Sequence, residues 1–553
     1  MMSIFSFISR TVIFILSSIL LTIPVAFALT GFYSLISKSN SQSSLKDLFQ
    51  THSRESLLAD LVQSESNTFI LAISLFLAIS FIAILFKSRF KPHKLTYISG
   101  PKLYEGQKAI RHARNAHRAE LKTNELTKAG INIHPKIKIT EAREQNNFLI
   151  LGTTGSGKST AFKPLVHQAI NRGDYSVIYD EKGEYTENFY RKSNSILIAP
   201  WDKRSAKWNI CEDIRTKQDA ELLAQCLIPD SKTPDPIWDQ GARVILVSML
   251  MKFINENGQK WDWRDLYKLF TLSIDKAQSE FIVHYPIVKS FIENDSKTTQ
   301  GFYVHIMSKL NWIEDLAKAW SGPDKSPFSL KRWIKDTNAK CVIIIQADSK
   351  YPSLGEPLCN AIISFMTKNY LSETLPTERK TWLFIDEFAN LPRNPNIKKW
   401  LELARENGAR SVICTQSISQ LKELYGKDET DSIINLLSNI ILFRMGSAGD
   451  DAKYCASIFG EYTAEVPNYN HPRGIGTRTE VPLIKATELT QLRQPSKKGV
   501  EGYITLPGRN AAYKLCWPLF HRIKKAERKV PAEWTKKAAI KNTQQQNRLN
   551  KRK

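Results

Sequence analysis

The chain is poor in cysteine, and the few it has follow no pattern. Seven cysteines are spread over 553 residues, none before Cys211 and no two in a CxxC spacing. An odd, scattered set argues against a disulfide framework and a thiolate zinc site, and it fits a body kept in a reducing compartment. No internal repeat is found, and no long acidic segment closes the chain. Acid is outnumbered: 78 Lys and Arg stand against 54 Asp and Glu, a net charge of +24. The imbalance is local. Lys87 to Thr140 holds 13 basic and 3 acidic residues, and His521 to Lys553 holds 12 and 2, so the rest is close to neutral. Basic flanks suit contact with a polyanion or with anionic lipid, the plain alternative being a solvated basic surface. With 42% hydrophobic and 24% charged residues, wholesale disorder is excluded, and the length is too great for one core.

Charge is missing altogether from two stretches near the start. Thr11 to Ser37 runs 27 residues without a charge, and Asn67 to Phe86 runs 20. Each is long enough to cross about 30 Å of hydrocarbon as a helix. "AFA" at Ala26–Ala28 resembles a signal-peptide cleavage site, but the apolar run continues past it. The basic "KSRFKPHK" after the second run and the acid-balanced stretch Lys38–Ser66 between the runs set the orientation. Both termini are expected in the cytoplasm of a bacterium, the protein lying in the inner membrane with a small loop outside.

Beyond the second apolar run the chain alternates between two periodicities. Lys108–Leu126 reads as a basic helix and "PKIKIT" (Pro135–Thr140) as a strand. Short apolar runs of buried-strand character recur at Asn147–Leu151, Ser176–Asp180, Ser195–Ile198, Cys341–Gln346, Trp382–Asp386, Arg410–Cys414 and Asn439–Phe443. This predicts an α/β fold with a parallel-dominated sheet, and the order of the motifs below, phosphate loop, acid-tipped strand and Gln-tipped strand, makes it RecA-like. From Ile210 to Trp333 strand signals vanish and helical periodicity takes over. The expected organisation is therefore a membrane anchor over 1–94 (spans 11–37 and 67–86), a nucleotide-binding domain over 95–209 and 334–520, an all-α domain over 210–333, and a weakly structured basic tail over 521–553.

"LILGTTGSGKST", Leu149–Thr160, fits G-x-x-x-x-G-K-[ST] between a strand and a helix. Glycines let backbone amides converge on phosphate oxygens, and the helix start adds its positive end. The loop Gly152, Thr153, Thr154, Gly155, Ser156, Gly157, Lys158, Ser159, Thr160 is thus a candidate ATP cradle. Lys158 is placed for the β/γ-phosphates and the Ser159 hydroxyl for Mg²⁺. "TWLFIDEFANL" ends an apolar strand in Asp386, a candidate Mg²⁺ acid, followed by Glu387, a candidate for polarising the attacking water. "SVICTQS" ends another strand near Gln416, a candidate γ-phosphate sensor. Motors of this kind borrow an arginine across a ring interface. Arg405 and Arg410 are the candidates, a solvated helix face being the alternative for each.

In this order the motifs resemble the type IV coupling proteins of conjugation, TraD/TraG-like ATPases. The likeness covers nearly the whole chain: two apolar N-terminal runs, the P-loop, "VIYDEKGEY" (Val177–Tyr185), "PWDKRSAKWNI" (Pro200–Ile210), "DPIWDQGAR" (Asp235–Arg243), "LFIDEFANL" and "CTQS". The resemblance implies a hexameric, DNA-dependent ATPase of the inner membrane. Such an enzyme hands a relaxase and its processed plasmid strand to a type IV secretion channel, with its ATPases and inner-membrane components, and pumps DNA without sequence specificity, single- or double-stranded. It favours Arg405 over Arg410 as the trans arginine and makes "SKTTQGF" (Ser296–Phe302) and Trp238 candidate DNA contacts. Asp180 and Glu184 match the family pattern without a definite role. The short basic tail departs from relatives that dock relaxases through an acidic extension, which leaves contact with DNA or lipid open. A coupling ATPase that exports protein effectors, an FtsK-like chromosome pump and a nucleotide-binding receptor are the competing readings. Glu387 disfavours the last, and the short link from span to P-loop disfavours the pump.

Overall fold

The computed structural model describes Ser80 and residues 95–536, without 124–127, 232–235, 294–295, 322–326, 377, 467–475 and 522. The predicted spans 11–37 and 67–86 and the last part of the tail, 537–553, lie outside the described residues, Ser80 apart. Among the described residues no helix is long and apolar enough to cross a membrane.

Among the described residues there are fifteen strands: β1 (Thr96–Ser99), β2 (Lys102–Glu105), β3 (Ala129–His134), β4 (Ile137–Thr140), β5 (Phe148–Leu151), β6 (Tyr175–Asp180), β7 (Ser195–Ile198), β8 (Val342–Gln346), β9 (Thr381–Ile385), β10 (Ala409–Thr415), β11 (Asn439–Leu442), β12 (Glu461–Val466), β13 (Thr477–Pro482), β14 (Val500–Thr505) and β15 (Ala511–Trp517). Ten of them make one sheet in the order β2-β15-β14-β11-β5-β10-β9-β6-β8-β7. From β11 to β7 every neighbour is parallel. These strands are buried along almost their whole length, which is why their sequences read as unbroken apolar runs. β14 joins β11 antiparallel, β15 pairs with β14, and β2 closes that edge.

Two expectations need correction. The sequence assigns all of 95–209 and 334–520 to one nucleotide-binding body. Instead Thr96–Ser99 and residues 462–481 belong to a separate compact unit, where β1, β12 and β13 form a three-stranded sheet of their own. The strands of that sheet are exposed or half-buried and mostly polar, so no apolar run marks them. The second correction concerns the tail. Residues 523–536 are not loose: the Val530 N–H donates to Asp202 (2.8 Å), the Trp534 indole to the Pro200 carbonyl (2.8 Å), and Lys529 pairs with Asp348. Composition hid this, because the partners lie 181 to 334 residues earlier in the chain.

From Ile210 to Lys335 the described residues form helices and no named strand, among them Lys217–Leu227, Ile237–Asn257 and Lys297–Leu310. The long helix Pro352–Ser372, which follows β8, packs against Lys217–Leu227.

At the N-terminal edge of the sheet a buried ion cluster ties elements together. Glu144, fully buried, accepts from the Ile131 N–H (2.7 Å), from Arg172 (2.9 Å) and from Arg410 (3.0 Å). Arg172 also clamps Asp174, which takes the Trp382 indole N–H at 2.8 Å. Arg410 is 3% exposed and lies over the Trp382 ring. A trans arginine must reach a neighbour, so this burial removes Arg410 from candidacy, whereas Arg405 is exposed. Breaking such a pair strands a buried carboxylate. Arg410→Ala should therefore lower stability by about 3–5 kcal/mol, while Arg405→Ala should change it by less than about 0.5 kcal/mol. Denaturant unfolding of both variants checks this.

Candidate nucleotide site

β10 is hydrogen-bonded to β5 on one side and to β9 on the other. Thr415 faces Leu151, and Ile413 faces Ile385. The residues just past the ends of these three strands therefore emerge side by side at the carboxyl edge of the sheet, where open α/β sheets bind ligands. They are Gly152, which opens the loop, Gln416, and the pair Asp386 and Glu387.

The loop's shape needs its glycines. Gly157 has φ +95°, and a Cβ there would come within 2.7 Å of a Val500 methyl at the start of β14. At Gly152 a Cβ would meet the Ser156 hydroxyl at 2.5 Å. The loop is also moored: Thr153 donates to the Arg444 carbonyl through its N–H (3.0 Å) and its hydroxyl (3.1 Å). Its helix, Ser159–Arg172, carries Lys158 just before its first turn. The Lys158 ammonium donates to the Gly152 carbonyl at 2.7 Å, folded over the loop it would serve. Thr160 is tied to the Gly157 carbonyl at 2.6 Å.

Gln416 joins the three segments. Its amide N–H donates to Glu387, and its carbonyl accepts from the Thr154 hydroxyl. One side chain thus bridges the loop and the acid. Burial raises the carboxyl groups of Asp386 and Glu387 above the ordinary carboxylate range. Tyr185 and Lys158 counter this at Asp386, and Gln416 and Lys158 counter it at Glu387. The Lys158 ammonium is itself pushed down by burial. The Ser156 hydroxyl and one Glu387 oxygen are buried with no hydrogen-bond partner among the described residues.

The residues without a definite role in the family pattern have clear places in the fold. Asp180, fully buried at the end of β6, accepts from the Thr186 N–H (2.7 Å) and hydroxyl (2.8 Å). Glu184 pairs with Lys163 at 2.7 Å. Sequence reasoning missed Tyr185, Val500 and the Arg444 carbonyl. The last acts through its backbone and leaves no side-chain signal. In the helical segment, Phe302 is 3% exposed, and a Cβ on Gly301 would press on the Trp238 ring at 2.5 Å. Packing thus accounts for "GF" in "SKTTQGF". Trp238 itself is 37% exposed.

Residues 131–501 match the family described as Type IV secretion-system coupling protein DNA-binding domain. The chain belongs to that family. The Coupling protein TraD of Escherichia coli (strain K12) is 24% identical over 408 residues, 72% of this chain and 56% of the relative. The alignment thus spans a little over half the length of that curated relative. Among solved structures, the unbound bacterial conjugative coupling protein TrwBdeltaN70 matches with a TM-score of 0.67 and 22% identity, covering 79% of this chain and 96% of that one. TrwB in complex with ADP and Mg²⁺ matches with a TM-score of 0.67 and 22% identity, covering 80% and 98%. These likenesses establish a shared coupling-protein fold.

The buried carboxyl of Asp180 gives a stability test. Burial raises it from 3.8 to about 6. Between those values the folded chain holds a proton that the unfolded chain lacks, so Asp180 makes stability fall as pH rises. Asp180→Asn keeps an acceptor for Thr186 and removes the titration. The melting temperature of the variant minus that of the parent should rise between about pH 4 and about pH 7. A difference independent of pH would refute the assignment.

Proposed function

We propose that this coupling protein is an ATP-driven motor that delivers relaxase-bound plasmid DNA to a type IV secretion channel. One observation carries the reading: Gln416 bridges a phosphate loop and a buried acid on adjacent strand ends. That is the layout of a site that senses and hydrolyses a γ-phosphate rather than merely holding a nucleotide.

The residues fit ATP with Mg²⁺. Asp386 and Glu387 are carboxyls whose burial calls for a counter-charge, and the unpartnered Ser156 hydroxyl and Glu387 oxygen await polar partners. TrwB, of the same fold, has been solved with ADP and Mg²⁺ and with a non-hydrolysable ATP analogue. Ser159 and Asp386 would hold Mg²⁺, which would supply neutralising charge for the phosphates. Lys158 exchanges the Gly152 carbonyl for phosphate oxygens. Glu387, deprotonated, polarises the attacking water while Gln416 orients it and keeps the loop in register. Exposed Arg405 is the arginine offered to the next subunit of a homo-hexamer.

The remaining assignments are part of the same proposal. The spans 11–37 and 67–86 anchor the chain in the bacterial inner membrane with both termini and the motor inside. The helical segment 210–333 meets DNA at the mouth of the ring, and the basic flanks add contact with phosphates that salt weakens. Relaxase proteins and the channel's ATPases and inner-membrane components are the partners.

ATP hydrolysis by the protein, with and without single-stranded DNA at two salt concentrations, tests this. DNA should stimulate turnover, and salt should reduce the stimulation. Lys158→Thr should lose nucleotide binding. Glu387→Gln should keep binding and lose about 10²-fold or more in turnover. Equal turnover with and without DNA would favour protein cargo instead.

A further inference from the structure

β7 is the last strand of the ten-stranded sheet, with β10, β9, β6 and β8 between it and the strand of the phosphate loop. A strand at a sheet edge presents backbone donors and acceptors that a fold must cap or put to use. At β7 they can be followed one by one. The Asn194 carbonyl takes the Val342 N–H of β8 at 3.2 Å, so Asn194, Ile196 and Ile198 turn their backbone groups inward. Ser195, Leu197 and Ala199 turn theirs outward. Three of these outward groups are capped close by. The Ser195 N–H donates to the Arg191 carbonyl (2.7 Å), the Ala199 N–H to the Ser205 hydroxyl (3.0 Å), and the Leu197 carbonyl accepts from the Ala206 N–H (2.7 Å). The Ser195 carbonyl and the Leu197 N–H have no hydrogen-bond partner among the described residues.

This stretch of edge lines a cavity of about 370 Å³. Phe328 and Trp333, both buried, give it an apolar lining. One wall comes from "PWDKRSAKWNI", a motif that the nucleotide chemistry leaves unexplained, and it is held in place: Arg204 clamps the buried Asp202 at 2.7 Å and lies over the Tyr190 ring at 5.1 Å. Among the lining residues Lys192, Arg204, Arg332 and Lys340 stand against Asp336 alone. Arg204 and Arg332 are engaged by Asp202 and Glu212. Lys192 and Lys340 are exposed and have no ion-pair partner among the described residues.

A carbonyl and the N–H two residues further on are the pair that one residue of a parallel strand engages, donating to the first and accepting from the second. A phosphate group satisfies the N–H but sets its oxygens against the carbonyl, whereas a peptide satisfies both. The two unpaired lysines call for acidic side chains. This chain's own C-terminal residues have the wrong sign, since 537–553 hold six Lys or Arg and no Asp or Glu.

We propose that the outer edge of β7 docks an extended acidic peptide segment of a partner protein. The segment pairs parallel to the strand through the Ser195 carbonyl and the Leu197 N–H, with carboxylates toward Lys192 and Lys340 and an apolar side chain against Phe328 and Trp333. Main-chain bonds to a free sheet edge give such a site its hold, and the side-chain pocket and the lysines give it selectivity. The site shares no residue with the phosphate loop or its acids, so it stands or falls apart from the ATPase reading.

Fluorescence anisotropy of a short labelled peptide alternating Glu and Val, titrated with the purified full chain in detergent, tests this. Binding should saturate, and the same peptide with Lys in place of Glu should not compete. Lys192→Glu combined with Lys340→Glu should weaken binding about tenfold, the scale of two exposed ion pairs turned into repulsions, and leave ATP hydrolysis as in the parent. Because alternate N–H groups of a strand point to opposite sides, N-methylation of one alternate set of peptide residues should abolish binding and of the other set preserve it. No saturable binding, an equal response to both N-methylated peptides, or parental affinity in the double variant would each overturn the proposal. Displacement of the peptide by a single-stranded oligonucleotide would overturn it in favour of a nucleic-acid contact.

Discussion

β10 shares its backbone hydrogen bonds with β5 and β9, and the chemistry at the carboxyl edge depends on that register. Because Thr415 lies opposite Leu151 and Ile413 opposite Ile385, the next residues of all three strands arrive together. A slip of one residue would turn Gln416 to the other face of the sheet and break its bonds to Thr154 and Glu387. β10 and β9 are covered over their full length, and the paired backbone hydrogen bonds to both neighbours hold the register.

The opposite edge of the sheet is held by charge rather than by apolar packing. Glu144, Arg172, Asp174 and Arg410 join β3, β10 and the C-terminal end of the loop's helix in one network. Such a cluster gains little net energy after desolvation, but each member depends on the others. The loop's helix is thereby fixed at both ends: at its C-terminal end by Arg172 and at its start by the moorings of Thr153 and Thr160. A phosphate cradle set in this way loses little freedom when it binds.

The parallel half of the fold was legible because burial on both faces leaves unbroken apolar runs, and all seven such runs named from the sequence became β5 to β11. β14 and β15 were not named among those runs, and they take their place by antiparallel pairing, β14 on β11 and β15 on β14. That pairing brings Val500 over Gly157, a contact that spacing cannot foretell. At the site, the loop, Asp386, Glu387 and Gln416 could be read as a set because each ends a strand. Residue pattern alone left Arg405 and Arg410 equal, the family resemblance favoured Arg405, and burial excludes Arg410. The basic tail misled for a related reason: an arginine such as Arg528 reads as a solvated charge until Glu187, buried and 341 residues away, receives it.

The central claim is that Gln416 couples the phosphate loop to Glu387, and a split between binding and chemistry tests it directly. Single-turnover hydrolysis and equilibrium binding of ATP would be measured on Gln416→Ala beside the parent. Binding within about twofold of the parent with hydrolysis slowed about 10²-fold is the result this geometry requires. Equal hydrolysis rates once ATP is bound would contradict it, reducing Gln416 to a strut between two strand ends.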